Sequence, residues 1–382
     1  MMNSFIKALY ADLLHRIDVV VSDIKGIPHH RDIKDRFIDD TLNQFSIIRD
    51  ELQNALDIGV LEIDVFTSNN LFSYNRLHRE FKAIHSYRYL AIKNYRDPEI
   101  FFFQLITQIY SEHRINALPP IVSTISNHDY YYWAVPYFEI IALPSGEEHS
   151  LLNLPDMYHE IGHLLHAMFH GKSCEISADI INKHFAKEIV RVVDEGLGLH
   201  YKEKLIIAQY LWKESWIEEF TCDLIGTYMT GPAYAWTNLK LLSAGHGSTK
   251  IFEYSESHPA DEARMRIIIL MLEKLGLTED NNKIKKAWDI FLKDTVGFQS
   301  NEYPLLYPQK LLNQIVDEFI TFYQNADLAS FPELVQKDAK SIAQLLNNAW
   351  NNAQSNPLDY YSYEIDSIND LRNNYGLPKI SN

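Results

Sequence analysis

Cysteine, long apolar runs and positive charge are all scarce in this sequence. Its two cysteines, Cys174 and Cys222, are too few for a disulfide framework, so we expect a reducing compartment and predict a cytoplasmic protein. No stretch approaches the roughly 18 consecutive apolar residues that a membrane-spanning helix needs, so no span is predicted. The 51 acidic residues outnumber the 35 basic ones and give a net charge of −16. That charge repels phosphate backbones, so nucleic acid is not expected as a partner.

The spacing of apolar residues predicts a mainly α (α+β) protein. Through most of the chain these residues recur three and four positions apart, as in "DRFIDDTLNQFSIIRDELQNAL" at 35–56. The pattern changes at 116–149, "NALPPIVSTISNHDYYYWAVPYFEIIALPSGEEH", where prolines, β-branched residues and aromatics replace it. We expect a small antiparallel sheet there, before the next helix.

These changes divide the chain into three predicted parts. Its 382 residues are enough for one large or two ordinary domains. Residues 1–115 are expected to form a helical N-terminal region, and residues 116–280 a core that carries the polar motifs. Residues 281–382 are expected to form further helices and a less regular tail. There is no internal repeat and no low-complexity linker to mark sharper boundaries.

The stretch "DMYHEIGHLLHAMFHG" at 156–171 holds the strongest chemical signal. His159 and His163 lie one helical turn apart, so both imidazoles can reach one metal ion. Glu160 projects beside them, as in the H-E-x-x-H motif of zinc metalloproteases. The spacing predicts a Zn²⁺ held by the two histidines, with Glu160 as the general base that activates water for attack on a peptide carbonyl.

Two more histidines, His166 and His170, follow on the same face of this predicted helix, but they are not expected to be ligands. On a continuous helix His170 lies two turns beyond His163, about 10 Å along the axis, which is too far to share its metal. We predict that His166 and His170 pack against neighbours or support the ligands, and that Gly171 ends the helix.

A third ligand is predicted on the helix "WIEEFTCDLIGTYMTGPAYAW" at 216–236. Such an apolar helix should not carry acids without partners. Glu219 and Asp223 are four residues apart and share a face, so Glu219 can bind the metal while Asp223 accepts the free N–H of a ligating histidine. Glu218 points about 100° away and is expected to face solvent or a basic neighbour. An ordinary amphipathic acid pair is the alternative.

H-E-x-x-H followed by Glu-x-x-x-Asp on a second helix resembles the gluzincin pattern. Within that clan the chain looks most like the HtpX-type and CAAX prenyl-protein metallopeptidases and their small soluble relatives. There the second helix tends to read E-x-x-A-D-x-x-A before a glycine, and a later helix starts T-H-P-P-x-x-x-R. The matching stretches are "EFTCDLIGTYMTG" at 219–231 and "SHPADEAR" at 257–264.

The resemblance covers roughly residues 135–275 and implies a gluzincin-type core within 116–280. It implies His159, His163 and Glu219 as zinc ligands, Glu160 as general base, and Asp223 as a supporting acceptor. The implied protein is a soluble zinc metalloendopeptidase with a peptide or protein substrate. Many of these relatives have membrane helices that this sequence lacks, so we do not extend the resemblance to prenylated substrates. Cys222 replaces a usual alanine and is expected to pack rather than to bind metal.

The motif "SHPADEAR" adds two candidate residues. Pro259 is expected in the first turn of a helix, whose positive end Asp261 and Glu262 complement. His258, at that helix start, is expected to donate a hydrogen bond to the oxyanion of the tetrahedral intermediate. Arg264 is expected to bind a carboxylate such as Asp223, or a backbone carbonyl, and to lock its helix against the metal helices. A purely structural helix start is the alternative for both.

A second class of function stays open at this point. The chain could be a zinc-containing sensor or interaction protein that uses the scaffold without catalysis. Glu160 favours the enzyme, because a scaffold needs no carboxylate at the base position. The strands before the histidine helix could pair with substrate backbone. Four aromatic residues would line or flank that cleft, with a buried aromatic strand as the alternative: Tyr130, Tyr131, Tyr132 and Trp133. The oligomeric state is not predicted.

Overall fold

The computed structural model describes residues 2–28, 30–57, 67–127, 131–244, 250–294, 299–337 and 340–380. Helix makes up 76% of the structure and three short strands form one small sheet, which confirms the mainly α prediction. Within those ranges, none of the helices combines the length and the apolar character that a bilayer crossing requires.

The chain divides into two compact units that do not follow the sequence order. Unit 1 comprises residues 1–103 and 120–145, and unit 2 comprises residues 104–119 and 146–382. The predicted domain boundaries near residues 115 and 280 stay predictions. The helices that begin in unit 1 are α1 (Met2–Gly26), α2 (Arg31–Ile33), α3 (Asp39–Asp57), α4 (Thr67–Ile84), α5 (Leu90–Lys93) and α6 (Asp97–Glu112), with π-helical turns at Lys34–Ile38 and His85–Tyr89.

Unit 1 is built around the apolar stripe of α1. Its buried residues recur at alternating intervals of four and three, the spacing that places them on one helix face. Residues of α3 and α4 with the same spacing pack against them in one core cluster. The members that carry this packing are Ile6, Tyr10, Leu13 and Ile17 on α1, Phe45, Ile48 and Leu52 on α3, and Leu77, Phe81 and Ile84 on α4.

The small sheet of unit 1 is mixed rather than antiparallel, which corrects the prediction. Its strands are β1 (Ile121–Ser126), β2 (Trp133–Val135) and β3 (Ile140–Pro144), in the order β1-β3-β2. β2 and β3 pair antiparallel across a short 3₁₀ turn, and β1 adds to the free edge of β3 in parallel. A parallel pairing between strands separated along the chain leaves no turn signal in the sequence.

The helices of unit 2 carry the polar motifs. They are α7 (Asp156–Met168), α8 (His170–Asp194), α9 (Leu199–Leu211), α10 (Ile217–Thr230), α11 (Pro232–Ala244), α12 (Asp261–Lys274), α13 (Thr278–Asp294), α14 (Tyr303–Leu306), α15 (Gln309–Asn325), α16 (Phe331–Lys337), α17 (Ile342–Ser355) and α18 (Tyr360–Asn374). A π-helical turn, Trp212–Trp216, joins α9 directly to α10.

The helix α10 is buried along almost its whole length. Every residue from Glu219 to Thr230 is buried, and the helix contacts α7, α11, α12, α15 and α17. A helix buried on all sides is apolar all round, so the acids on α10 are exceptions that need polar partners. The helix ends at Gly231, whose φ of 63° lies in the left-handed region.

Three local predictions in unit 2 were wrong. Gly171 does not end the histidine helix: α7 ends at Met168, and α8 begins at His170 without a left-handed residue between them. Pro259 lies before the first turn of α12, because the extended residue Ala260 is its N-cap. The tail contains α18, a four-turn helix whose apolar residues Ile368 and Leu371 are buried.

Candidate metal centre

The centre lies where α7 crosses α10, and a glycine allows the two helices to approach. A Cβ atom at Gly162 would lie 2.7 Å from the Cα of Cys222, closer than atoms can pack. Gly162 is the fourth residue of H-E-x-x-H, and Cys222 lies between Glu219 and Asp223. The close crossing therefore brings the acids of α10 to the histidines of α7.

His159 is buried, and partners on two other helices hold its ring. Its Nδ1 lies 3.1 Å from Asp223 Oδ1 and 3.0 Å from the hydroxyl of Tyr234 on α11. A proton on Nδ1, donated to Asp223, leaves Nε2 free as a ligand atom. Nε2 lies 3.5 Å from Glu219 Oε2. Burial lowers the pKa of His159, but the hydrogen bonds to Asp223 and Glu219 outweigh it and raise the pKa to about 10.

His163 is oriented in the same way, with Glu218 at its Nδ1 atom and Glu219 facing its Nε2 atom. Its Nδ1 lies 2.9 Å from Glu218 Oε1, and its Nε2 lies 3.7 Å from Glu219 Oε1. The hydrogen bond from His163 lowers the pKa of Glu218. Glu218 is therefore beside a basic neighbour, and it orients His163 as Asp223 orients His159.

Arg264 binds Asp223, the carboxylate that orients His159. Its Nε and Nη2 atoms each donate to Asp223, to Oδ2 and Oδ1 respectively, at 2.8 Å. Although burial opposes ionisation, this pair holds the pKa of Asp223 well below its usual range. Tyr234 also donates to Asp223 Oδ1, at 2.6 Å. Asp223 is thus a buried carboxylate with enough donors to stay charged.

Each oxygen of Glu219 lies close to the Nε2 atom of one of the two histidines. Two ligand atoms in tetrahedral positions, each about 2.1 Å from zinc, are separated by about 3.4 Å. Glu219 Oε2 lies 3.5 Å from His159 Nε2, and the other oxygen, Oε1, lies 3.7 Å from His163 Nε2. Burial raises the pKa of Glu219, but His159 and Arg264 outweigh it and lower the pKa to about 2.

Cys222 is the other group near the two histidines. One ligand atom from each of His159, His163 and Cys222 lies within 4.8 Å of the others, so these three could hold a metal ion. Burial raises the pKa of the Cys222 thiol, which disfavours the thiolate that a metal needs. Glu219 stays the predicted third ligand, because it carries charge and lies beside both histidines.

Glu160 is buried beside the candidate ligands. Its side chain has a relative exposure of 5%, and Oε2 accepts no hydrogen bond from the described residues. Burial raises the pKa of Glu160, an effect that His159 and His163 oppose. A carboxylate that is buried and lacks a donor is poised to take up a proton.

His258 approaches the centre from the loop before α12. Its Nε2 lies 3.7 Å from Glu219 Oε1, and its Nδ1 lies 2.8 Å from the hydroxyl of Ser257. Its backbone N–H donates to Ser255 Oγ at 2.9 Å. The side chain keeps a relative exposure of 58%, so the ring stands at the open side of the centre.

The structure brings all seven predicted site residues together: His159, Glu160, His163, Glu219, Asp223, His258 and Arg264. His166 is buried on α7, and the side chain of His170 lies outside the described residues. Sequence reasoning missed Tyr234, which donates to Asp223, and Asp156, which interacts electrostatically with His159 and Glu160. The spacing of Asp156, three residues before His159, could have revealed it. Nothing in the sequence links Tyr234 to Asp223.

The aromatic residues proposed to flank a cleft belong to unit 1. Tyr132 is buried, and Trp133 Nε1 donates to Ser126 Oγ at 2.9 Å, while Tyr130 lies outside the described residues. A role toward substrate stays a prediction for these residues.

Comparison with protein-family models, with curated proteins and with solved structures finds no match for this chain. The resemblance to gluzincins therefore rests on the motifs, and the site is interpreted from its own geometry.

Proposed function

We propose that the chain is a zinc-dependent metallopeptidase of the gluzincin type that hydrolyses peptide bonds in the cytoplasm. One observation carries the proposal: Glu219 faces the Nε2 atoms of His159 and His163, and the buried Glu160 Oε2 beside them lacks a donor. Ligands without a base would suit a structural metal. The added carboxylate suits hydrolysis.

The residues that would hold zinc are His159, His163 and Glu219. Bound zinc would supply Lewis acidity, which polarises a peptide carbonyl and acidifies water. Glu218 and Asp223 keep the two imidazoles in the tautomer with Nε2 free, through contacts of 2.9 and 3.1 Å. These partners fix the direction of each ring before substrate arrives.

Glu160 moves the proton in the proposed reaction. Oε2 takes a proton from water as the water oxygen adds to the carbonyl carbon. The proton then passes to the amide nitrogen as the C–N bond breaks, which gives a free acid and a free amine. The burial that raises the pKa of Glu160 brings it closer to the working pH of a general base.

His258 would stabilise the negative charge that develops on the carbonyl oxygen. In the tautomer in which the Ser257 hydroxyl donates to Nδ1, at 2.8 Å, Nε2 carries the proton. That N–H faces Glu219 Oε1 at 3.7 Å, so it can turn toward a substrate oxygen near the same ligand. One such donor is worth about 3 kcal/mol when it is held in place.

The test compares the full chain loaded with zinc, treated with a chelator, and reloaded. We expect about one zinc per chain and cleavage of a denatured proteome by the two zinc-loaded samples, with loss after chelation. Zinc binding without cleavage would support the non-catalytic sensor instead. A chain that binds no zinc would overturn both interpretations.

A further inference from the structure

Asp156 occupies the helix face that carries the ligand and the base. It is the first residue of α7, and His159 and Glu160 follow at the third and fourth positions. Residues with this spacing lie above one another on an α-helix, one turn apart, about 5 Å along the axis. The Asp156 side chain is partly exposed.

The Asp156 carboxylate has no cation of its own. Within the described ranges it makes no hydrogen bond and no ion pair. His159 and Arg264 attract it from a distance, but both are bonded to Asp223, at 3.1 and 2.8 Å. Burial raises the pKa of Asp156 to about 7.

A second carboxyl group near Asp156 also lacks a partner within the part of the chain that the structure describes. Glu160, one turn away, has a relative exposure of only 5%, and its Oε2 accepts no hydrogen bond from the described residues. Asp156 and Glu160 repel each other when both are charged, and a positively charged group beside Asp156 would lower that cost. A peptide substrate can bring such a group.

We propose that Asp156 is a specificity-determining residue that binds a cationic nitrogen of the substrate close to the bond that is cleaved. The inference rests on the proposed peptidase function and names its substrate class. The cationic nitrogen can belong to a lysine or arginine side chain, or to the free amino terminus of the peptide. Both are N–H donors that a carboxylate binds strongly.

A structural role for Asp156 makes a different prediction. An acid in the first turn of a helix complements the positive end of its dipole, and Pro155 offers no side-chain cap to α7. Loss of that role would lower stability and would reduce the cleavage of all substrates equally. Only a substrate contact changes the ratio between charged and neutral substrates.

The experiment measures kcat/KM of the zinc-loaded full chain on matched peptides. One pair carries lysine or norleucine beside the cleaved bond, with the amino terminus acetylated. The other pair lacks lysine and arginine and has a free or an acetylated terminus. The proteins are wild type, Asp156→Asn, and Asp280→Asn as a control, because Asp280 lies in the first turn of α13.

Wild type should prefer one cationic peptide over its neutral partner by about tenfold or more, the scale of one charge-assisted contact. The pair that shows the preference identifies the source of the nitrogen. Asp156→Asn should remove most of the preference, and Asp280→Asn should keep it. Equal cleavage of charged and neutral peptides by wild type, or an unchanged ratio in Asp156→Asn, would overturn the inference.

A binding measurement separates this inference from the proposed function. The same peptides are fluorescently labelled, and their binding is measured by anisotropy. The two zinc-loaded proteins are Glu160→Gln and Glu160→Gln/Asp156→Asn. A cationic preference in binding that the second variant loses supports the inference even if wild type cleaves nothing. Cleavage without any such preference would leave the peptidase standing and remove the role of Asp156.

Discussion

Gly162 and Cys222 touch at the crossing of α7 and α10, and no side chain larger than hydrogen fits at position 162. A Cβ there would lie 2.7 Å from Cys222 Cα and 3.0 Å from Cys222 Cβ. The contact is between backbones, so a rotamer change cannot relieve it. The two helices that carry the candidate ligands can approach this closely only because Gly162 has no side chain.

Gly162→Ala should therefore weaken zinc binding and stability together. Alanine normally stabilises a helix interior relative to glycine by about 1 kcal/mol. Here the forced separation should outweigh that gain and cost about 1–3 kcal/mol, the usual penalty for overpacking. Denaturant unfolding and a zinc competition titration measure the two effects. Gly26→Ala is the control, because a Cβ at Gly26 would meet nothing within 4 Å; equal behaviour of the two variants would refute the steric explanation.

Arg264→Ala should lower stability more than any exposed arginine variant. Asp223 has a relative exposure of 0% and loses its bidentate partner, and removing one member of a buried pair costs about 3–5 kcal/mol. Unfolding of metal-free protein in urea measures the loss. Arg191→Ala is the control: its side chain is 39% exposed, and its ion pairs with Glu188 and Glu195 should contribute within about 1 kcal/mol. Similar losses in both variants would contradict the assigned role.

Much of the fold follows from local patterns, because a helix stripe needs only nearby residues. The buried positions of α1, from Ile6 to Ile24, repeat at intervals that the sequence displays. The same local logic placed His159 and His163 on one helix face and Glu219 and Asp223 on another. Each pair shares its face because of the 3.6-residue turn, whatever the rest of the protein does.

Other features depend on contacts that no local pattern encodes. Tyr234 reaches Asp223 from a separate helix, and the parallel pairing of β1 with β3 joins strands that are not adjacent in sequence. The prediction that Gly171 ends the histidine helix was wrong, because α7 and α8 meet at Phe169 without a left-handed residue. The role of Gly162 is visible only once Cys222 lies against it.

His258→Ala should reduce turnover without changing metal content. The ring is exposed and contacts Ser257 and Glu219 at the edge of the centre, so its removal leaves no cavity in the core. We expect kcat to fall by about 10²-fold, the scale of one lost donor to a developing oxyanion. The melting temperature and zinc stoichiometry should stay near those of wild type. A variant with normal kcat, or one that loses zinc, would contradict the proposed donor role.

His113 should make the protein less stable at mildly acidic pH. It is fully buried with Nδ1 2.7 Å from the Ala329 carbonyl oxygen. Burial lowers the pKa of His113 to about 4, although the hydrogen bond with Ala329 raises it. Because the folded pKa lies below the unfolded value of about 6.5, the contribution is complete above that pH and is lost as the pH falls toward 4.

The loss attributable to His113 should approach about 3 kcal/mol. Urea unfolding of metal-free wild type and His113→Asn between about pH 7 and pH 4.5 isolates it, because asparagine keeps a donor but does not titrate. The variant should lose less stability over that range. Parallel curves for the two proteins would show that His113 does not cause the acid sensitivity.

The most direct test of the central claim is the ratio of kcat/KM for wild type and Glu160→Gln on one peptide substrate, with zinc measured in the same samples. Glutamine keeps the shape of Glu160 but cannot take a proton, so the variant should bind zinc as wild type does and cleave at least about 10²-fold more slowly. His159→Ala, measured beside it, should lose the zinc as well. Equal rates of cleavage by wild type and Glu160→Gln, at equal zinc content, would contradict the assignment of Glu160 as the general base of a zinc peptidase.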